Sequence, residues 1–285
     1  MKKSVRMRLH FLSWLLFICC LSFLLSGCGN RYHTEMQCDI MKIGKADSIV
    51  LAEEEYTVLI DCGESDDGTE IIQHLQEMGT DEIDCLIITH FDKDHIGGAA
   101  DVLDAFTVKR LLEPGYTPEK PDSEEYISYR EALLRNGITP EVLDKDICIN
   151  VGSMHIQFYT ANAVYDDNID NNNSLVMELE HEGNRFLFAG DIEKQRIDDM
   201  LQAGQIHACD FLKVPHHGRY NRSLNEFFQA VSPTYAAITC SVKNPPEQET
   251  LDALADVGCT VFSTKDSEVH VRSTQNGIHV DQSGT

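Results

Sequence analysis

Basic residues are scarce in this chain, in which 23 Lys and Arg stand against 47 Asp and Glu for a formal net charge of −24 over 285 residues. A surface of that sign resists non-specific attraction to polyanions and to anionic lipid. It does not exclude one specific phosphate site, because a local group of cations can oppose the overall field. The composition therefore disfavours non-specific nucleic-acid binding and leaves anionic substrates open.

Several sequence patterns are also absent. No C-x-x-C occurs among the ten cysteines. We expect the seven that follow Cys28 to be small buried apolar side chains, with one disulfide pair among them as the alternative. No G-x-S-x-G occurs, so nothing indicates a covalent nucleophile. No Pro/Gly/Ser linker and no internal repeat interrupts residues 36–285, which predicts a single domain there.

The first 27 residues have the pattern of an export signal. A basic start is followed by the apolar run Phe11–Leu25, which is shorter than the ~20 residues that a bilayer-spanning helix needs. The run ends in Leu25-Ser26-Gly27-Cys28, which resembles the bacterial lipobox. That resemblance implies cleavage before Cys28 and a lipid on its sulfur; an uncleaved signal anchor is the alternative.

We therefore predict three segments: a lipoprotein signal peptide (1–27), a lipidated Cys28 with a polar tether (28–35), and a folded domain (36–285). The mature protein would be anchored on the extracytoplasmic face of the cell membrane. Removal of the signal would take four basic and no acidic residues, and so would shift the net charge from −24 to −28.

The order of elements in the domain predicts an α/β fold. Strands come first, then strands alternate with helices. The stretch 147–189 returns to strands, and after further alternation a final pair of strands lies near 269–280. Two β-rich sheets with helices outside form an αββα sandwich.

One predicted hairpin places residues relative to each other. The apolar runs 175–180 and 185–189 are joined by His181-Glu182-Gly183-Asn184, and Gly183 can take a positive φ in a two-residue turn. Paired residue numbers then sum to 365, so Ser174 and the preceding Asn171-Asn172-Asn173 lie beside Asp191. His181 is at the opposite end of the hairpin, which removes it from the candidate site.

The densest group of potential metal ligands is Thr89-His90-Phe91-Asp92-Lys93-Asp94-His95-Ile96-Gly97-Gly98. Four ligand side chains lie within six residues, directly after a short apolar strand. We expect an extended loop here, in which the alternating positions 90, 92 and 94 project to one side. Imidazole and carboxylate suit Zn²⁺ or Mn²⁺. A solvated acidic loop with two surface histidines would explain the charge, but not the apolar strand or the paired glycines.

These residues carry a resemblance to a known family. His90-x-Asp92-x-Asp94-His95 resembles the H-x-[HD]-x-D-H motif of metallo-β-lactamase-fold hydrolases, and with Ile96-Gly97-Gly98 it is similar to the soluble hydrolase domain of the ComEC competence family. Further motifs in the same order support the resemblance: Ile43-Gly44-Lys45-Ala46-Asp47, Leu59-Ile60-Asp61-Cys62-Gly63, Asn172-Asn173-Ser174-Leu175-Val176, Phe188-Ala189-Gly190-Asp191 and Leu212-Lys213-Val214-Pro215-His216-His217-Gly218.

The resemblance implies a role for each matching position. Asp94, His95 and His217 would hold one metal ion, His90 and Asp92 would hold another, and Asp191 would bridge the two. Asp61 would orient a ligand histidine without itself contacting the metal. The order of elements agrees, because each candidate ends a strand or begins the loop after one, so that all can converge on one edge of a sheet. One or two Zn²⁺ ions are expected, with Mn²⁺ as the alternative.

Two positions leave a choice. Adjacent residues point apart, so only one imidazole of the His216-His217 pair easily reaches the metal. We favour His217 as the ligand. His216 would then either contact a ligand residue without reaching the metal or contact the substrate. Many relatives complete the second metal site with a histidine from the strand before Asp191, whereas the hairpin here offers only Asn172, Asn173 and Ser174, which are poor ligands. We therefore expect Asn173 and Ser174 to support the site from outside the ligand set.

The expected activity is hydrolysis by a metal-bound hydroxide, with Asp92 or Asp94 able to accept the water's proton. Lys213, Arg219 and Arg222 are candidate substrate-binding residues, and guanidinium suits phosphate. We therefore predict a small-molecule or envelope phosphodiester as substrate. The alternatives are an extracellular nuclease of ComEC type, which the net charge disfavours, and a lipoprotein that binds metal or a ligand without turnover.

Overall fold

The computed structural model describes residues 33–161, 163–165 and 167–282. The predicted signal peptide and Cys28 lie outside the described residues. Thr34–Thr285 forms one compact unit. Among the described residues, no helix has both the length and the apolar character needed to cross a bilayer.

Two large mixed sheets make up the centre of the fold. In chain order the strands are β1 (Met36–Ile40), β2 (Ile49–Glu53), β3 (Tyr56–Ile60), β4 (Glu82–Ile83), β5 (Cys85–Ile87), β6 (Thr107–Val108), β7 (Leu111–Pro114), β8 (Glu141–Leu143), β9 (Ile147–Val151), β10 (Met154–Tyr159), β11 (Val176–His181), β12 (Asn184–Phe188), β13 (Phe211–Lys213), β14 (Tyr235–Ile238), β15 (Thr260–Ser263), β16 (Val269–Thr274) and β17 (Gly277–Asp281). The first sheet has the order β17-β16-β1-β2-β3-β5-β7-β8 and the second β15-β14-β13-β12-β11-β10-β9.

Helices cover the outer face of each sheet. They are α1 (Gly68–Glu77), α2 (Lys93–Ile96), α3 (Ala99–Ala105), α4 (Glu124–Asn136), α5 (Ile169–Asn172), α6 (Lys194–Ala203), α7 (Ser223–Val231) and α8 (Gln248–Asp256). A 3₁₀ turn spans Pro215–Gly218. The longest of these helices is α4. It begins after Ser123, whose hydroxyl accepts a hydrogen bond from the Tyr126 N–H, and it ends at Gly137, which has a left-handed conformation.

Three apolar clusters correspond to the layers of a sandwich. One lies between the sheets and contains side chains from both, such as Met36 and Val58 from the first and Phe186 and Phe211 from the second. The other two lie under the helices of each sheet. Side chains alternate between the faces of a strand, so each sheet contributes to the central cluster and to one outer cluster. The predicted αββα architecture is confirmed.

The predicted hairpin has the register that its turn requires. Met177 pairs with Phe188 and Glu180 with Arg185. Glu182 and Gly183 both have positive φ, 51° and 84°, as a two-residue type I′ turn demands. Ser174 therefore lies beside Asp191, whose N–H donates to the Ser174 hydroxyl at 3.2 Å.

Two local predictions were wrong. The segment from 147 to 189 is not all strand, because Asn168 takes a left-handed conformation and the short helix α5 follows it; Asn and Asp favour such local structure over a strand. The cysteines after Cys28 are not all buried either. All seven are free, but Cys148 is exposed and Cys259 only half-buried.

Candidate metal centre

The candidate ligands meet where parallel strands end. Asp61 follows β3, the segment His90–His95 follows β5, Asp191 follows β12 and His217 follows β13. The carboxyl ends of parallel strands leave a crevice in which loops converge. Residues from both sheets therefore reach one edge of the sandwich, although 127 positions separate His90 from His217.

Asp191 lies at the centre of the group. Its Oδ2 is 3.4 Å from the Nε2 atom of His95 and 3.1 Å from that of His217. The Oδ2 atom of Asp94 is 3.6 Å from the same His217 nitrogen. The Oδ2 atom of Asp92 lies 3.9 Å from the Nε2 atom of His90.

The backbone at two points brings these side chains inward. Lys93–Ile96 is a helical turn, so Asp94 and His95 reach the centre from helix α2 and not from the extended loop that we expected. His216 and His217 have positive φ values of 47° and 52°, a conformation costly for residues other than glycine. Such strain at a candidate site supports a functional role for this turn.

A relay of hydrogen bonds fixes the ring nitrogens of His90 and His95. The Thr89 hydroxyl donates to Asp61 at 2.7 Å and is 3.0 Å from the Nδ1 atom of His90, so it can only accept from that nitrogen. The Asp61 carboxylate also accepts a hydrogen bond from the Nδ1–H of His95 at 2.8 Å. Both rings are thereby held with Nδ1 protonated and with Nε2 free to coordinate.

His217 is fixed in the same way on the other sheet. Its Nδ1 atom is 2.9 Å from the Thr239 hydroxyl, which donates to Asp47 at 2.5 Å. Thr239 therefore accepts a hydrogen bond from the Nδ1–H of His217, and the Nε2 atom of His217 also faces the centre. All three imidazoles are backed by a chain of hydrogen bonds that ends on a buried carboxylate.

The inward-facing atoms fit a divalent cation. The Nε2 atoms of His90, His95 and His217 and the Oδ1 atom of Asp191 are buried and have no hydrogen-bond partner in the part of the chain that the structure describes. One atom each from His90, His95 and Asp191 lies within 4.8 Å of the others, as does one each from Asp94, His95 and His217. Buried polar atoms without partners are costly, and a cation held by these nitrogens and oxygens would satisfy them.

The charges of these groups depend strongly on one another. Burial disfavours the imidazolium of His95, but the carboxylates of Asp191 and Asp61 outweigh it and raise the pKa of His95 well above its usual value. Burial disfavours the carboxylate of Asp191, but His217 and His95 hold its pKa well below the ordinary range. Binding of a cation would therefore displace protons from these rings.

His90 and Asp92 are electrostatically different from this group. Burial, together with the nearby charge of His95, lowers the pKa of His90 to about 3, so the ring is neutral and its Nε2 atom is available. Burial and the carboxylates of Asp170 and Asp94 raise the pKa of Asp92 to about 6. The Asp92 side chain is also 40% exposed, so it is the most accessible of the candidate ligands.

The residues that we predicted to support the metal ligands differ in how close the structure places them to those ligands. Ser174 contacts the Asp191 backbone, as described above. The Asn173 amide donates instead to the Ile169 carbonyl at 2.8 Å, so it stabilises α5 and has no described contact with a candidate ligand. The Nδ1 atom of His216 is 3.1 Å from Glu193, and its ring lines a cavity next to His217.

The prediction that Lys213 binds substrate was wrong. Its side chain is 1% exposed, and its ammonium pairs with Asp47 at 2.6 Å. Arg219 lines the cavity beside His217, and its binding of substrate stays a prediction. Arg222 is exposed before α7 but is not among the residues that line the three cavities around the centre.

Sequence reasoning also missed four residues of the site. Thr89, Thr239 and Asp47 position the imidazoles, and Lys45 places its ammonium 3.0 Å from the Oδ2 atom of Asp94. Two of them could have been found from the sequence, because Thr89 directly precedes the motif that begins at His90 and Asp47 ends the motif that begins at Ile43. Thr239 had no such signal beyond its place at the end of a strand.

Comparison with known proteins agrees with this geometry. Residues 42–241 match the Metallo-beta-lactamase superfamily. The chain is 29% identical over 268 residues to ComE operon protein 3 of Bacillus subtilis, and 26% identical over 258 residues to Recombination protein 2 of Haemophilus influenzae. Each alignment covers 87% of this chain but only 34% and 30% of those proteins, so the chain spans about a third of their length.

Solved structures show the same fold. The metallo-beta-lactamase fold protein YhfI from Bacillus subtilis superposes with a TM-score of 0.52 at 12% sequence identity, covering 81% of this chain and 98% of that one. At that identity the likeness concerns the fold alone.

Proposed function

Because this chain belongs to the metallo-β-lactamase superfamily, whose members are generally metal-dependent hydrolases, we propose that it is a membrane-anchored metal-dependent phosphodiesterase. The observation that carries the hydrolase assignment is the convergence of three buried imidazole Nε2 atoms and the Oδ1 atom of Asp191, none of which has a hydrogen-bond partner among the described residues. The substrate class and the anchor rest on separate observations.

The residues of the centre have distinct tasks in this proposal. His90, His95, His217, Asp94 and Asp191 would hold the cation, and Asp92 would complete its surroundings. A divalent ion supplies a water of lowered pKa and polarises the oxygen under attack. Asp92, whose pKa is about 6, is placed to accept a proton near neutral pH. His216 faces the adjacent cavity, where it can contact a bound substrate.

Cations around the centre support an anionic substrate. Lys45, Arg219 and Lys243 line the cavity that contains His216 and His217, within a chain of net charge −24. Cations retained beside a polar site on such an acidic protein favour a negatively charged ligand. A phosphodiester meets this requirement, and guanidinium and ammonium are its usual partners in proteins.

A panel of substrates tests the proposed reaction. Protein from residue 28 onward, supplied with Zn²⁺ or Mn²⁺, should hydrolyse bis-p-nitrophenyl phosphate in preference to nitrocefin or a lactone. The reason is that guanidinium and ammonium groups near the centre match the oxygens of the reacting phosphate, whereas the lactone is neutral and the carboxylate of nitrocefin is not part of the bond that is cleaved. Release of p-nitrophenol measures the activity, and His95→Ala, which removes a central nitrogen, should abolish it.

The other outcomes of this panel distinguish the alternatives. Faster turnover of nitrocefin or the lactone would overturn the phosphodiester assignment while leaving a hydrolase. Turnover of single-stranded or duplex DNA, added to the panel as a fourth substrate, would favour the nuclease. No turnover of any substrate, with metal bound at the centre, would show a protein that binds metal without catalysis.

The anchor is proposed from the segment ending in Leu25-Ser26-Gly27-Cys28. In the native host, the wild-type chain should incorporate labelled palmitate and sediment with membranes, because a diacylated cysteine buries two acyl chains. Cys28→Ala should lose the label. A wild-type chain that carries no label would remove the anchor from the proposal, and Cys148→Ala is the matched control.

A further inference from the structure

A cavity of about 300 Å³ opens beside His217. Its walls come from three parts of the chain: the loop that carries Lys45, the turn from His216 to Arg219, and the segment from Lys243 to Glu247. His216 and His217 both line it, so the cavity is continuous with the candidate metal centre. Its volume is of the order of a small-molecule subsite.

The walls of this cavity are tightly fixed. The Glu247 N–H donates to the Gly218 carbonyl at 3.1 Å, and the Ser241 N–H donates to the Asn244 carbonyl at 3.2 Å. A Cβ atom at Gly218 would lie 2.7 Å from the Cβ atom of Pro246, so the two segments pack against each other without room for a side chain. The cavity is therefore pre-formed, which reduces the entropic cost of binding a ligand.

Among the described residues, two cations of this cavity, Arg219 and Lys243, form no direct ion pair, and both side chains are exposed. The charge of Arg219 acts on the Glu193 carboxylate and helps to lower its pKa. Several other arginines are paired with carboxylates, as in Arg110–Glu141, Arg130–Glu113 and Arg135–Asp104. In so acidic a protein, unpaired cations in a fixed cavity favour binding of an anion.

Lys45 connects the cavity to the centre. Its ammonium pairs with the Oδ2 atom of Asp94 at 3.0 Å, and its side chain also lines the two other cavities around the centre. A group bound between Arg219 and Lys243 would thus lie next to the reacting ester and not at a remote site.

We propose that this cavity, with Arg219 and Lys243 as its main contacts, binds a second phosphate of the substrate, adjacent to the ester that is cleaved. This inference rests on the proposed phosphodiesterase activity and narrows its substrates to diesters that carry a further phosphate. The second phosphate can be a terminal monoester or a link in a chain, because the cations recognise the same oxygens in both.

Two matched substrates test the subsite. Thymidine 5′-p-nitrophenyl phosphate with a 3′-phosphate should show a KM about tenfold lower than the same compound without it, since charge-assisted hydrogen bonds contribute on this scale. In R219Q/K243Q this advantage should disappear. A third compound, in which the 3′-phosphate is a methyl diester, distinguishes a chain phosphate from a terminal one.

Arg185→Gln is the matched control. It removes one exposed cation at the start of β12, at the opposite end of that strand from Asp191, and should keep the full advantage of the 3′-phosphate. Equal KM values for the two substrates in the wild type would overturn the subsite, as would an advantage that persists in R219Q/K243Q.

A binding measurement separates the subsite from the catalytic proposal. In EDTA, equilibrium dialysis should show that thymidine 3′,5′-bisphosphate binds the wild type about tenfold more tightly than thymidine 5′-monophosphate, and that R219Q/K243Q loses this difference. If neither nitrophenyl ester is hydrolysed but this difference is present, the phosphodiesterase proposal fails and the subsite stands. If the esters are hydrolysed but the difference is missing, only the subsite fails.

Discussion

Asp191→Asn should reduce both metal binding and hydrolysis by at least about a hundredfold. Asp191 is the only carboxylate within 3.5 Å of two inward-facing imidazole nitrogens among the described ion pairs. Loss of a partner that merely orients a ligand costs about 10–100-fold, so loss of a shared ligand should cost more. Zn²⁺ content by mass spectrometry and turnover of bis-p-nitrophenyl phosphate measure the two effects.

A control is needed for the loss of one negative charge. Asp256→Asn removes a carboxylate from the exposed end of α8 and should leave metal content and turnover unchanged. If Asp191→Asn retains wild-type metal content, the centre described here is not the site that binds metal. Circular dichroism would show whether either variant has lost its fold.

Lys213→Met should destabilise the protein by about 3–5 kcal/mol, the usual cost of leaving one member of a buried ion pair unpaired. Its ammonium and the Asp47 carboxylate are 2.6 Å apart, with 1% and 3% of their side chains exposed. Burial disfavours the Asp47 carboxylate, but Lys213 outweighs it and lowers the pKa of Asp47 below its usual value. Urea unfolding of the metal-free protein measures the loss.

The pH dependence has a definite sign. Because the pKa of Asp47 is lower in the folded state, its ion pair stabilises the fold above the unfolded pKa of about 3.9. This contribution is lost as the pH falls through the lower, folded value. The difference in unfolding free energy between wild type and Lys213→Met should therefore be full at pH 7 and shrink in strong acid.

Two variants separate the pair from a general loss of lysine. Lys194→Met breaks an exposed pair with Asp198 and should cost less than about 1 kcal/mol. In D47N/K213M no buried charge is left alone, so most of the lost stability should return. A double variant no more stable than Lys213→Met would contradict the ion-pair explanation.

Local patterns predicted much of this structure. The register of the β11–β12 hairpin followed from the length of its turn alone, because a two-residue turn leaves one choice of pairing. The position of His95 next to Asp191 followed from motifs that each end a strand. Both inferences use constraints that act over a few residues or at one edge of a sheet.

The partners of Lys213 and His217 could not be predicted in this way. Lys213 is in a motif beside the site, and its sequence gives no sign that its ammonium points back to Asp47. The bond between His217 and Thr239 joins loops that follow different strands. The first pairing depends on how the two sheets pack, and the second on how the loops after the neighbouring strands β13 and β14 fold. Periodicity and propensity specify neither.

The pairing of β1 with β16 has a consequence for the order in which the molecule can assemble. Met36 lies opposite Ser273 and Ile40 opposite Val269. Thus β1, the first strand of the described residues, can form this pairing only after β16 has been synthesised. Every candidate ligand is synthesised before β16 exists, yet until then the first sheet has an open edge at β1. An open edge of this kind invites pairing with other chains, so during synthesis the nascent protein depends on its final strands for protection against aggregation.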